Sequence, residues 1–319
     1  MQLQKELEGV TTVAIAGHIR PDGDSVGACS GLWTHIKDNF PQVEADMWLE
    51  KPDDKFSMLK GFSELRVPDG EEREYDLFIA VDCAALDRLG KAQPAFEKAR
   101  KTLCIDHHVS NKGYALTNII DGDASSACEV ICRLLDMEKV SRDAASALYM
   151  GIAHDTGVFQ YSCTSPDTMR LAAALMEKQI PYTDILEETF YKKTYRQNQV
   201  LGKALLESMR LLDGKCIVSV MRQKDMDFFG VTTTDLDGIV SQMKQTEGIE
   251  VAIFLYEIDY MEYKVSLRSE NIVHVSKVAS YFGGGGHIRA AGVTMKGTFH
   301  DIVNNLTLHI ERQLEGQED

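Results

Sequence analysis

The chain has no Cys-X-X-Cys pair. Its seven cysteines are scattered at 29, 83, 104, 128, 132, 163 and 216. An odd count, with several thiols inside apolar runs, points to buried free cysteines in a reducing compartment. It points away from a disulfide scaffold or a thiolate zinc site. No apolar run approaches the roughly 18 residues of a membrane span. The opening MQLQKELEGV lacks the basic start and apolar stretch of a signal peptide. A cytoplasmic protein without membrane contact is therefore expected. Basic residues are also short, with 34 Lys and Arg against 49 Asp and Glu, a net charge of −15. Binding along long nucleic acid needs a basic face, so a DNA-coating role is disfavoured. A nucleotide enzyme is not, because a local pocket loaded with divalent cations can still hold a short phosphorylated ligand. Repeats and low-complexity segments are missing too. At 319 residues, 44% of them hydrophobic, the chain can fill the cores of two domains.

The β-branched run TTVAIAG (11–17) reads as a buried strand, and a helical pattern follows over about residues 25–39. VEADMWL (43–49), YDLFIAVDC (75–83) and KTLCID (101–106) read as further strands, with a helical stretch at 93–100 before the last. Strands alternating with helices predict βαβ units and a mostly parallel sheet. Helical stretches follow at 126–137, 142–153, 166–178 and 182–209. The last is too long for one compact helix and is expected to break near 190. Beyond Leu211 the runs GKCIVSVM, VAIFLYEID and EYKVSLRS read as strands, with helices at 236–245, 274–281 and 299–313. The fold class is thus α/β. A parallel-sheet catalytic domain (1–190) is joined by a helical linker (191–209) to a smaller α/β domain (210–319).

Ligands in an open parallel sheet gather at the carboxyl ends of its strands. His18, Asp22 and Asp24 follow the first strand, Asp82 the third, and Asp106-His107-His108 the fourth. His154-Asp155 closes a helical stretch as a further candidate. Each alone is ordinary, a turn carboxylate or a core imidazole, but together they form a pattern. Carboxylates crowded without a cation would repel one another and take up protons. Two divalent ions remove the conflict, and carboxylate and imidazole donors without thiolate suit Mn²⁺, with Co²⁺, Fe²⁺ or Mg²⁺ as alternatives. Two metals roughly 3.5–4 Å apart can activate water and polarise a phosphoryl group. Pro21-Asp22-Gly23-Asp24 reads as a tight bend aiming two acids at one site, with Gly23 supplying a backbone geometry that other residues resist.

In the second half, GGGGH (283–287) between a helical stretch and Arg289 reads as a close backbone approach to a ligand. Glycine amides there can form an anion nest, and Arg268 at a strand end can bind phosphate bidentately.

HIRPDGDSVGA, VDC, DHH and HDTGVF resemble, in order, the four motifs of the DHH phosphoesterase superfamily. VSLRS (265–269) and FGGGGHIRAAG (282–292) resemble its DHH-associated substrate domain. The likeness covers roughly residues 11–295 and is strongest to stand-alone bacterial oligoribonucleases of that family. It implies one metal held by His18, Asp22 and Asp82, and a second held by Asp24, Asp82, His107 and Asp155, with Asp82 bridging. His108 would face the substrate phosphate and Asp106 would orient an imidazole, so that His108, Asp82 and Asp106 form the catalytic set. His154 would be structural. Arg268, Gly284, Gly285, His287 and Arg289 would grip the substrate's terminal phosphate and base. The family often carries a Ser-Thr pair where this chain reads Ser125-Ser126-Ala127, which puts one hydroxyl contact in doubt.

The implied activity is hydrolysis of short RNA, from dinucleotides to pentanucleotides, to nucleoside 5′-monophosphates. It includes removal of the 3′-phosphate of 3′-phosphoadenosine 5′-phosphate. The two domains would face each other across a cleft, and a homodimer is expected. The alternative within the same chemistry is a phosphodiesterase of pApA or cyclic di-AMP. A family II pyrophosphatase shares the first domain but lacks the GGGGH loop, and a nucleotide sensor would not need every ligand position filled.

Overall fold

The apolar β-branched runs form the strands, and their alternation sets two faces. The structure, a computed structural model, describes residues 2–70 and 73–316. The chain divides into two units between Lys192 and Lys193.

The first unit contains α1 (Gln2–Glu6), β1 (Thr12–Ala16), α2 (Gly23–Asn39), β2 (Glu44–Trp48), β3 (Leu77–Val81), α3 (Gln93–Lys98), β4 (Lys101–Asp106) and β5 (Thr117–Ile120). Then come α4 (Ala127–Leu134), α5 (Arg142–Asp155), α6 (Pro166–Met176) and α7 (Tyr182–Leu186). The sheet order is β2-β1-β3-β4-β5, and every pairing in it is parallel. Val13 and Ile15 of β1 join Leu77, Ile79 and Val81 of β3 in a core under α2, α4 and α5. Ala14, Ala16, Phe78 and Ala80 face the opposite core with Trp48, Tyr75 and Phe96. From β1 the chain first adds β2 on one side, then returns to add β3 on the other. The carboxyl ends of β1 and β3 therefore flank the topological switch point, where an open α/β sheet leaves a crevice.

Helices α2 and α5 approach closely because small residues line their contact. A Cβ on Gly27 would lie 2.6 Å from the Ala147 carbonyl oxygen. One on Gly151 would lie 2.2 Å from Cys128 Sγ and 2.9 Å from Asp24 Oδ1. This packing sets the amino end of α2 beside the carboxyl end of α5, and so Asp24 near Asp155.

The helical stretch expected over 182–209 is interrupted. After α7 a π-helical turn runs from Glu187 to Tyr191, and α8 (Tyr195–Leu206) starts anew with Thr194 as its N-cap. Helix α8 lies in the second unit, where Val200 and Ala204 pack into a core with Ile217, Met221 and Met226. The unit continues with β6 (Met209–Leu211), β7 (Cys216–Met221), α9 (Gln223–Phe229), α10 (Ile239–Lys244), β8 (Val251–Asp259) and β9 (Glu262–Ser269). It ends with α11 (Val275–Tyr281), β10 (Gly285–His287), β11 (Ala290–Lys296) and α12 (Phe299–Leu314). Its sheet runs β10-β11-β9-β8-β7-β6. Only β7 and β8 pair in parallel. The fold is α/β with two domains, as expected. Among the described residues no helix is long and apolar enough to cross a membrane.

Candidate metal centre

Ligand-bearing residues converge where β1, β3 and β4 end. His18 lies two residues beyond β1, Asp82 directly follows β3, and Asp106 closes β4 ahead of His107 and His108. Asp22 is the N-cap of α2, and its Oδ1 accepts the amides of Asp24 and Ser25, each at 3.1 Å. Asp24 is the second residue of that helix and Asp155 the last of α5.

Two groups of donors form. His18 Nε2 lies 3.6 Å from Asp22 Oδ2 and 3.4 Å from Asp82 Oδ2. His107 Nε2 lies 3.3 Å from Asp155 Oδ2, 4.0 Å from Asp24 Oδ2 and 3.6 Å from Asp82 Oδ1. Asp82 thus turns one carboxylate oxygen to each group. Within each set (His18, Asp22, Asp82 and Asp24, His107, Asp155) the donor atoms lie within 4.8 Å of one another. Both sets mix imidazole and carboxylate without thiolate, which suits a divalent cation of the Mn²⁺ or Mg²⁺ kind. A third set joins His108 to Asp82 and His107. His108 Nδ1, however, donates to Asp106 Oδ1 at 2.8 Å, so that nitrogen is committed elsewhere.

Asp82 sits at φ +50, in the left-handed region. After Asp155 come three left-handed residues, Gly157, Val158 and Phe159, at φ +56, +56 and +64. A β-branched valine there is strained, and such strain concentrates at functional sites. The buried hydroxyl of Thr156 holds the turn, donating to the Ile152 carbonyl at 2.6 Å and accepting the Phe159 amide at 3.0 Å.

Electrostatics fit a site that favours positive charge. Burial and the neighbouring Asp82 raise the pKa of Asp24, and burial with Asp24 raises that of Asp155. Burial works against a charged ring at His18 and His107, but adjoining carboxylates overcome it. Asp22 and Asp82 push His18 up to about 10, and Asp82, Asp24 and Asp155 push His107 up to about 10. The two rings therefore hold protons at neutral pH that a metal must displace. Metal uptake is expected to release these ring protons and to tighten as pH rises from 6 toward 10. Calorimetric titration of Mn²⁺ in buffers of different ionisation heat checks this, since uptake without proton release contradicts it.

The supporting residues come from far along the chain. Asp106 is fully buried. Its Oδ1 accepts His108 Nδ1–H and the His107 amide, and its Oδ2 accepts Asn111 Nδ2–H at 2.7 Å. Burial opposes its charge, yet these bonds hold its pKa below the usual carboxylate range. Asp24 accepts the amides of Ala127 at 2.6 Å and Cys128 at 3.1 Å, at the start of α4. Position 127 contributes its backbone N–H, so the alanine there costs this contact nothing. Ser126 caps α4, and Ser125 Oγ donates to the buried Glu129 at 2.5 Å. Glu129 also accepts from Thr168 and Arg133. Neither Asn111 nor Glu129 stood out in the sequence. Asn111, in the polar turn after the DHH run, had a positional signal, and Glu129 had none.

One expectation is corrected. Asp22-Gly23-Asp24 is the start of a helix, and the left-handed glycines do not include Gly23. Its lack of a side chain serves packing, because a Cβ would lie 2.2 Å from His154 Cγ. His154 lies between Phe56 and Phe190, with Nε2 2.9 Å from Thr189 Oγ1.

In the second unit, Arg268 on β9 pairs across to Ala290 of β11, and its Nη1 donates to the Leu267 carbonyl at 3.0 Å. Gly284 and Gly286 approach their own fold closely. A Cβ on either would lie 2.4 Å from a β11 carbonyl oxygen, of Gly292 and Ala290 respectively. Gly285 faces open space and His287 is exposed. Arg289 donates to the carbonyls of Val273 and Asn271, tying down the segment before α11.

A parallel sheet with two carboxylate–imidazole groups at its switch point makes a centre suited to divalent cations. Residues 12–152 match the DHH family, N-terminal domain, and residues 213–314 match the DHHA1 domain. The chain belongs to the DHH family. It is similar to the bifunctional oligoribonuclease and PAP phosphatase NrnA of Mycoplasma pneumoniae, 30% identical over 291 residues, 89% of this chain and 87% of that one. The probable bifunctional oligoribonuclease and PAP phosphatase NrnA of Streptococcus mutans is 29% identical over 300 residues, 90% of each chain. The fold matches the crystal structure of an exopolyphosphatase-related protein from Bacteroides fragilis with a TM-score of 0.89 and 22% identity, covering 99% of this chain and 97% of that one.

Proposed function

We propose that the chain is a hydrolase that cuts short oligoribonucleotides to nucleoside 5′-monophosphates and removes the 3′-phosphate of 3′-phosphoadenosine 5′-phosphate. The observation that carries this reading is the division of Asp82, with one oxygen toward His18 and the other toward His107, in a chain with near-full-length relatives named bifunctional oligoribonuclease and PAP phosphatase. Two divalent cations, manganese foremost with cobalt or magnesium as alternatives, would supply positive charge for the phosphoryl oxygens and a water of lowered pKa.

The protein's own groups then divide the work. His18, Asp22 and Asp82 would hold one ion, and Asp24, Asp82, His107 and Asp155 the other. His108 gives Nδ1–H to Asp106, which leaves Nε2 to meet the substrate phosphate. The bond from Asp106 raises the pKa of His108 and favours a proton at Nε2. That N–H stabilises charge growing on a phosphoryl oxygen. In the second unit we assign Arg268, Gly284, Gly285, His287 and Arg289 to the far phosphate and base of the substrate. The free thiols suit the reducing cytoplasm in which such an enzyme would act.

The test is a product time course with Mn²⁺. Its substrates are 5′-phosphorylated RNAs of dinucleotide, pentanucleotide and much greater length, together with pApA, cyclic di-AMP and 3′-phosphoadenosine 5′-phosphate. Rapid release of mononucleotides from the short RNAs, with the long strand spared, is expected. Strong preference for pApA or cyclic di-AMP moves the protein to signalling-nucleotide turnover, and no hydrolysis of any of them sinks the enzyme reading.

A further inference from the structure

Arg88 is delivered to the edge of the metal centre by main-chain fit. The Ile19 amide donates to the Arg88 carbonyl at 2.8 Å. Gly90, at φ +54, lets the turn lie flat on Ile19, because a Cβ there would be 2.4 Å from Ile19 Cγ2. The arginine is therefore fixed beside the residue that follows His18. Its side chain brings Nη2 to 3.3 Å from His18 Nδ1.

That contact is not a hydrogen bond. His18 Nδ1 also lies 2.8 Å from the Ile19 carbonyl oxygen. A carbonyl only accepts, so Nδ1 carries the hydrogen, and a guanidinium only donates. Two donors face each other, whatever the charge on the ring. Among the described residues no carboxylate pairs with Arg88. Its guanidinium faces a donor and stays partly open to solvent, so its fork is available to an incoming anion. The nearby acids are already engaged, with Asp22 and Asp82 both turned toward His18 Nε2. The anion that fits a planar fork of donors beside this centre is a phosphoryl group.

We propose that Arg88 is a catalytic residue that binds a phosphoryl oxygen of the substrate on the His18 side of the centre. This rests on the reading of the chain as a phosphate-ester hydrolase. It adds a cationic contact supplied by the first unit itself, outside the four motifs. The competing role is structural, in which Arg88 merely steadies the His18 ring, and the two roles move different observables.

The experiment compares wild type with Arg88→Gln and Arg88→Lys in the full chain. Three quantities are measured: affinity for Mn²⁺ alone, affinity of the Mn²⁺-loaded protein for inorganic phosphate, and kcat and KM on a dinucleotide. Arg88→Gln is expected to weaken phosphate binding at least about tenfold and to lower kcat/KM about 10²–10³-fold. Mn²⁺ affinity should stay within about twofold, because Arg88 supplies none of the donor atoms of the carboxylate–imidazole groups. Arg88→Lys should recover part of the loss, keeping the charge but not the fork. Wild-type phosphate affinity and kcat/KM in Arg88→Gln overturns the assignment, as does Mn²⁺ affinity that falls in step with activity. Wild type that binds phosphate through Arg88 but cleaves no RNA sinks the oligoribonuclease reading and leaves Arg88 standing.

Discussion

Asp82→Asn is expected to lower turnover of short RNA and of 3′-phosphoadenosine 5′-phosphate by at least about 10³-fold, since even an outer partner of a metal ligand is worth about 10–100-fold. Asp82 is no outer partner. It is the one side chain shared by the His18 and His107 groups, at 3.4 and 3.6 Å. Asparagine keeps the shape but offers a neutral oxygen on one side and an amide N–H on the other. One group is then left with a donor facing where a cation belongs. The choice of asparagine matters for the backbone too. Residue 82 sits at φ +50, a region that Asn tolerates and Ala resists, so the variant should fold. A near-normal unfolding midpoint with Mn²⁺ uptake reduced and hydrolysis lost is the expected combination. Retained hydrolysis would show that the two groups do not work as one centre.

Part of the centre was legible because Asp82 and the Asp106-His107-His108 run stand directly at strand ends. An apolar run that stops on Asp82, or on Asp106-His107-His108, announces both a strand and what the strand delivers. Strand β11 is not among the expected strands, although its buried residues alternate at Ala291, Val293 and Met295. Its glycine and its proximity to the GGGG run disguised a period-two signal. Strands β6 and β10 have three residues each, and pairing rather than composition makes them strands. Gly23 is needed for its contact with His154 rather than for a left-handed turn, and Gly284 and Gly286 also lie close against β11. Arg88 and Glu129 give no sign in the sequence because a polar residue's role lies in its partner. Asp24 and the α4 amides, for instance, are 103 and 104 residues apart.

Asp106→Asn should separate imidazole orientation from metal binding. Asp106 is acceptor-only and meets three donors, His107 N–H, His108 Nδ1–H and Asn111 Nδ2–H. Asparagine brings an NH₂ into that ring of donors, so one bond must become a donor–donor contact. Asn111 is itself anchored by its bond to the Cys83 carbonyl at 3.1 Å, and its Oδ1 accepts the Gly113 amide at 2.9 Å. It cannot flip without losing both, and the His107 amide is main chain. The disruption therefore falls on His108, whose ring either rotates or moves its proton to the other nitrogen. Turnover is expected to fall about 10³-fold, somewhat less than the roughly 10⁴ that an analogous tautomer-fixing Asp→Asn change costs a serine protease. Here cations carry part of the stabilisation. The pH profile supplies the second readout. Loss of the Asp106 bond removes what raises the His108 pKa, so the alkaline limb of kcat should move to lower pH while Mn²⁺ affinity changes little. An unchanged alkaline limb with weakened Mn²⁺ binding would instead make Asp106 a support for the His107 ligand and remove His108 from the proposed chemistry.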